Sequence, residues 1–325
     1  MKAIWNRLKP KTKQNEYATL EDVYNCYRIL LNREPDEAGL AYWTDLVQTQ
    51  NITMDMMADG FLRSFEFKQR QAERNKPHLV QLPDYKIFVR TNDLFVGAPI
   101  ATTKAYEPLV TEAVKKHLKA GDIFVDIGAN IGYFSLLAAS IVGTDGHVYA
   151  FEPIAENGDF LEQSVAENGF QNVTLFRNAV AERKQMITFT GGGADSNGRI
   201  INEHETKLTA YPLPTIEAVT LDETLIDLPK LSLIKMDIEG AEPRAFAGMQ
   251  QIIQKFKPTI LTEFSPNFIK TTSNTDPLQF LEALSTDYEL FILDDKPKAS
   301  KSVAQIMEIF AHTPNTHLDL MAKPK

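Results

Sequence analysis

The stretch VDIGANIGYFS, Val125 to Ser135, decides the fold of this chain: it runs from an apolar strand through a glycine turn into the start of an apolar helix. In an open parallel α/β sheet such a unit supplies the first strand, and ligands sit beyond the carboxyl ends of the strands at the switch point beside it. The dinucleotide fingerprint G-x-G-x-x-G is absent, since only Gly128 and Gly132 are present, so an NAD-dependent oxidoreductase loses its main support. Asp126 places a negative charge where a pyrophosphate would be repelled, and Gly128 permits a tight turn with close backbone approach. Glu152 closes the next strand, HVYAFEP, where its carboxylate can accept two hydrogen bonds from a ribose diol. These residues favour a phosphate-free ligand with a cationic centre. S-adenosylmethionine fits, having an amino group, a sulfonium and a ribose. The plainer reading is that two glycines only let a helix pack on a strand, and Glu152 in register weighs against it.

Outward from this motif, strand and helix signals alternate from Pro108 onward: LVTEAVKKHL, IFVDIG, YFSLLAASIV, HVYAFEP, NGDFLEQSVAENG and NVTLFRNAV, then LSLIKMDIEG, PTILTEFS and YELFILDD. Such alternation implies right-handed crossovers and a mainly parallel sheet covered by helices on both faces. YKIFVRTNDLFVG predicts a hairpin turning at Thr91 to Asp93, and TGGGADSNGR, Thr190 to Arg199, predicts a flexible polar loop. Before these, from about Tyr17 to Arg74, the spacing is helical with almost no strand signal, broken at Pro35 and at the capping residues Thr53 and Ser64. The expected organisation is a small all-α module over residues 15–75, a polar linker with two prolines over 76–84, and an α/β domain over 85–325.

The net charge of −9 without a basic block argues against a nucleic-acid partner. A single cysteine, Cys26, excludes an internal disulfide framework and suits a reducing compartment, so the cytoplasm is the expected location. The basic start MKAIWNRLKPKTK is not followed by the apolar stretch of an export signal, and the longest apolar run, around YFSLLAASIVG, is too short for a bilayer. Membrane contact is expected to be peripheral at most.

FVDIGANIGYFSLLAA, VYAFEP, NVTLFRNAV, LIKMDIEGAEPRAFAGM and PTILTEF together resemble the FkbM-type methyltransferases, from about Tyr85 to the C-terminus. The resemblance implies a Rossmann-like, mostly parallel seven-stranded sheet and S-adenosylmethionine-dependent methylation of hydroxyls. It also implies that Asp126, Gly128, Ala129, Asn130 and Gly132 line the methionine end of the cofactor, that Glu152 holds its ribose, and that Asn178 with Ala179 lies near the adenine.

LSLIKMDIEGAE raises the chemical question. A strand inside a parallel sheet is apolar on both faces, yet Lys235 and Asp237 share a face by alternation and need partners or a role. A structural ion pair of Lys235 with Asp237 or Glu263 is one answer. Glu239 and Glu242 enter the next helix, where capping is the simple reading. Glu263 ends the following strand and can approach Asp237 if those strands are neighbours. Two such carboxylates could hold a divalent cation or supply a general base. The arrangement is similar to that of the catechol O-methyltransferases, which bind magnesium there. Asp237, Glu263, Lys235 and Glu239 are the expected catalytic set, with Asp237 and Glu263 as the metal ligands if magnesium is used. No Asn-Pro-Pro-Tyr-type sequence follows the strand, so O-methylation is preferred to N-methylation.

VYNCYRILLNREPDEAGLAYW with FLRSFEF resembles a helical module of unknown function found beside bacterial glycosyltransferases, methyltransferases and surface proteins; the matching residues include Tyr27, Arg33, Asp36, Gly39, Trp43 and Ser64. That company implies work on glycans, with a glycan-assembly protein as partner. The expected activity is methylation of a sugar hydroxyl of a bacterial glycan, glycolipid or glycosylated metabolite. The alternatives are methylation of a polyketide or other small-molecule hydroxyl, and a non-catalytic glycan-assembly scaffold.

Overall fold

The structure, a computed structural model, describes residues 17–192, 195–200, 213–294 and 299–325. The chain divides into two compact units between Lys76 and Pro77. The first contains helices α1 (Leu20–Leu31), α2 (Glu37–Gln50), α3 (Met54–Arg63) and α4 (Phe65–Arg74). Thr19, Asp36, Thr53 and Ser64 cap them in turn, each side chain accepting from a backbone amide of the first turn. Val23, Tyr27, Leu31, Met57 and Phe61 form the core of this unit. Trp43 stacks on Phe61 with ring centroids 4.7 Å apart. Arg33 locks the turn between α1 and α2: its guanidinium donates to both carboxylate oxygens of Glu66 at 2.7 and 2.6 Å, lies 3.1 Å from Asp36 and covers the Tyr27 ring. Such a bidentate pair holds geometry that a lysine could not.

The second unit is built on a seven-stranded sheet of order β12-β13-β11-β10-β3-β4-β5. Its strands are β3 (Ile123–Ile127), β4 (His147–Phe151), β5 (Val173–Phe176), β10 (Leu233–Met236), β11 (Thr259–Phe264), β12 (Tyr288–Ile292) and β13 (Leu318–Pro324). Neighbours from β11 to β5 pair in parallel, and β13 runs antiparallel to both β11 and β12. The sheet is Rossmann-like and mostly parallel. Its alternation is legible in β3, where Phe124 joins the core on one face and Ile123, Val125 and Ile127 that on the other. Asp126 and Lys235 are paired in the β3/β10 register on the Phe124 face.

Three local expectations are corrected. Residues 76–84, expected as a linker, hold β1 (His78–Gln81), which pairs antiparallel with β2 (Lys86–Val89). Val80 and Leu82 are buried there, and Pro77 and Pro83 flank the strand without entering it. No second strand follows the turn at Thr91 to Asp93. The Asp93 side chain accepts from Phe95 N and Val96 N at 3.1 and 3.3 Å, and its carbonyl accepts from Ala98 N, so the chain turns into helix α5 (Gly97–Thr103). Thr190 to Arg199, expected as a loop, belongs to the hairpin of β7 (Gln185–Gly192) and β8 (Asp195–Ile200). With β6 (Ala179–Val180) and β9 (Thr215–Val219) these strands form a second sheet of order β6-β9-β7-β8.

The opening glycines position the site through protein walls. Gly128 has φ +81°, and a Cβ there would lie 2.1 Å from the carbonyl oxygen of Asp237; Gly132 has φ +93°, and its Cβ would meet the Leu161 side chain at 2.3 Å. Gly128 thus lets the β3 turn lie against the end of β10, where a backbone atom cannot yield. Gly128→Ala is expected to destabilise the second unit by about 2–4 kcal/mol, read as a lower midpoint in urea unfolding.

Candidate active site

The carboxyl ends of the central strands open on a cavity of about 470 Å³, a size typical of small-molecule sites. Of the residues expected from sequence, Gly128, Ala129, Asn130, Glu152, Asn178, Ala179, Lys235, Asp237, Glu239 and Glu263 line it, and Asp126 and Gly132 do not. Asp126 was expected at the methionine end of a cofactor. It is fully buried, accepts from Ser135 Oγ at 2.6 Å, and serves as a counter-charge beneath the cavity. The reason is register: position 126 faces the helix Tyr133–Val142 (α7 after α6, Pro108–His117), and that helix seals it.

Glu152 joins two turns. Its Oε2 accepts from Asn130 N and its Oε1 from Ile154 N, each at 2.8 Å. Each oxygen keeps a second lone pair. Burial pushes this carboxyl up to about 7 against the pull of those amides. Beside it, Ile154, Ala179, Phe189, Ile200 and Ala241 form an apolar cluster whose members all line the cavity. Phe189 and Ile200 come from the β7–β8 hairpin, so the polar-looking glycine segment carries part of the wall. The Asn178 carboxamide is turned away to β9, donating to Glu217 O at 3.2 Å.

The other half of the cavity is acidic. Lys235 is 4% exposed, with its Nζ 3.1 Å from Asp237 Oδ2 and 4.8 Å from the centre of the Phe134 ring. Burial alone would lower its pKa, but Asp237, Asp126 and Glu107 hold the ammonium above the ordinary lysine value. Glu107, which sequence reasoning placed only near the mouth, lies in the left-handed region at φ +39°. Burial raises its carboxyl to about 7, with Lys235 opposing and Asp237 and Asp319 adding. Glu263 is pushed up to about 9 by burial and by Asp237, Glu242 and Glu239. Glu242 follows the capping reading: it accepts from Ile238 N at 2.9 Å and from Gly240 N at 3.3 Å. His317, absent from the sequence-based set, also lines the cavity, with Nδ1 4.0 Å from Glu263 Oε2. It lies in the irregular run before β13, where only the sheet order reveals its neighbours.

The donor set does not suit magnesium. Asp237 already faces an ammonium, Glu263 is held neutral at physiological pH, and no group of three or more His, Cys, Asp or Glu among the described residues is arranged around a common ion site. The expectation that Asp237 and Glu263 ligate magnesium is therefore not supported.

Residues 126–290, half of the chain, match the family model described as the methyltransferase FkbM domain. The chain belongs to the FkbM methyltransferase family. Residues 5–71 match a domain of unknown function, DUF4214. The FkbM chain is 28% identical over 135 residues to the hexuronic acid methyltransferase AglP of Haloferax volcanii, covering 41% of this chain and 52% of that one. It is 24% identical over 127 residues to a protein-L-isoaspartate O-methyltransferase of Ignicoccus hospitalis, covering 39% and 59%. The chain thus spans a little over half the length of these curated relatives. A crystal structure of an FkbM methyltransferase from Methylobacillus flagellatus aligns with TM-score 0.39 and 15% identity, over 88% of this chain and 71% of that one.

Two outcomes follow for this FkbM domain. Methyl transfer is expected to be unchanged after dialysis against EDTA and after magnesium is restored, measured as initial rates. Glu107, Glu152 and Glu242 near 7 and Glu263 near 9 all lie above their ordinary 4.5. The folded state then binds more protons than the unfolded state between about pH 5 and 9, so unfolding free energy falls as pH rises through that window. Urea unfolding at pH 5, 7 and 9 checks the sign.

Proposed function

We propose that the FkbM domain transfers a methyl group from S-adenosylmethionine to a sugar hydroxyl of a glycan, glycolipid or glycosylated metabolite. One observation carries this reading: a single cavity joins an apolar slot and the Glu152 carboxyl, at the ends of β4 and β6, to a carboxyl-rich half at the ends of β10 and β11. S-adenosylmethionine supplies an electrophilic methyl on a sulfonium. The slot formed by Ile154, Ala179, Phe189 and Ile200 takes the adenine, and Glu152 takes the ribose hydroxyls. The Gly128–Asn130 turn supports the methionine end, with Glu107 and Asp237 facing its ammonium.

The acidic half suits an acceptor rich in hydroxyl donors better than the apolar hydroxyl compounds of polyketide type, because buried carboxyls need donors to satisfy them. The printed activity of the Haloferax relative, on a hexuronic acid, supports a carbohydrate acceptor, and the Ignicoccus relative supports transfer to oxygen. The helical unit with its DUF4214 match supports a place in glycan assembly, with a glycan-assembly protein as partner. Among the described residues no helix is long and apolar enough to cross a membrane. A reducing location such as the cytoplasm agrees with the single, buried Cys26.

Calorimetry is expected to show binding of S-adenosylmethionine and S-adenosylhomocysteine; absence of both sinks the reading. Glu152→Gln removes a charged acceptor from the ribose site and is expected to weaken binding of either about 10- to 100-fold. A labelled-methyl screen over glycan, glycolipid and small-molecule fractions of the host cell is expected to place the label in sugar.

A further inference from the structure

We infer that His317 is the general base for the acceptor hydroxyl, oriented by Glu263, at an acceptor subsite bounded by Glu263, Phe268 and His317. This inference rests on the proposed methyl transfer to a hydroxyl. The sheet order divides the cavity, with the donor half at the ends of β3 to β5 and the rest at the ends of β10, β11 and β13. His317 immediately precedes Leu318, which pairs with Phe264, so the antiparallel run of β13 delivers the imidazole to the carboxyl end of β11 beside Glu263. Phe268, 40% exposed, adds an apolar ring to this half, as suits the carbon face of a sugar.

An alcohol is a poor nucleophile until its proton is taken in the transition state. The carboxyls near this end are badly placed for that task. Asp237 holds Lys235, and Glu263 is a neutral acid at physiological pH. His317 is the one histidine among the described lining residues, and imidazole is the side chain whose ordinary pKa lies near neutrality. Its Nδ1 faces Glu263 Oε2 at 4.0 Å, a separation that acceptor binding can close into a hydrogen bond. The Nδ1 proton then points to Glu263, and the lone pair on Nε2 is left for the acceptor.

In the step, the acceptor oxygen forms a bond to the methyl carbon while the carbon–sulfur bond breaks with its electrons going to sulfur. The hydroxyl proton passes to Nε2. The imidazolium forms beside Asp319, which already interacts with His317. The side chain is 43% exposed, so the proton leaves to water. The products are the methyl ether, S-adenosylhomocysteine and one proton.

The test uses the full chain and the host-cell glycan and glycolipid extract, with S-adenosylmethionine carrying a labelled methyl. His317→Ala and His317→Asn are expected to lower kcat about 100-fold while S-adenosylhomocysteine affinity by calorimetry stays within twofold. Added imidazole is expected to restore at least a tenth of the rate to His317→Ala, an effect a structural role would not produce. Either variant turning over within twofold of the parent overturns the inference, as does a loss that imidazole leaves untouched. Parent protein that binds S-adenosylhomocysteine but labels nothing in the extract refutes the acceptor reading and the base with it.

Discussion

The site depends on one buried cation. Lys235 stands in the central strand of a parallel sheet, where both faces are normally apolar, and its ammonium is out of water. An ion so placed would cost several kcal/mol if unpaired. Here the β3/β10 register sets Asp126 opposite it, β10 itself supplies Asp237 two residues on, and the turn before α6 brings Glu107. Three carboxyls for one ammonium leave an acidic excess. That excess is carried partly as protons on Glu107, Glu152 and Glu263, whose pKa values rise because charge in this space is unaffordable. The floor of the cavity is thus a proton-storing network fixed by strand register.

Much of this was legible in sequence wherever a signal is local. VDIGANIGYFS announces strand, turn and helix by its own pattern, and Glu152 and Glu263 announce themselves as charges at the ends of apolar runs. Asp126 was misread because alternation assigns a face without saying what covers it; Ser135, nine residues on, closes that face in three dimensions. The hairpin of β7 and β8 was missed because its glycines and polar residues look like a loop until Phe189 and Ile200 are found opposite each other in register. His317 had no local signal at all. Its place follows from β13 reversing direction between β11 and β12, a property of topology that no window of sequence contains.

The sheet order also explains why donor and acceptor chemistry separate. Glu152 and the apolar slot lie on the β4 side of β3, while Lys235, Asp237 and Glu263 lie on the β10 side. The Gly128 turn stands between them, pressed against the Asp237 carbonyl so closely that a methyl group would not fit. A ligand lying across that turn has its two ends in different solvents: one apolar with a single carboxyl, the other dense in carboxyls. This polarity fixes orientation before any specific hydrogen bond is considered.

The same field distinguishes donor from product on the proposed reading. Glu107, Asp237 and Glu263 surround the space where a sulfonium would face the acceptor, and Lys235 offsets only one of their charges. A positive sulfur is held by that excess, and the neutral thioether left after transfer is not, because an electrostatic attraction in a poorly solvated cavity disappears with the charge that feels it. Protons stored on carboxyls near 7 sharpen the difference: a bound cation favours their ionised forms, and its neutralisation returns them to the protonated state. The acidic excess that makes Lys235 necessary for folding therefore also weakens the hold on the product once the methyl has left.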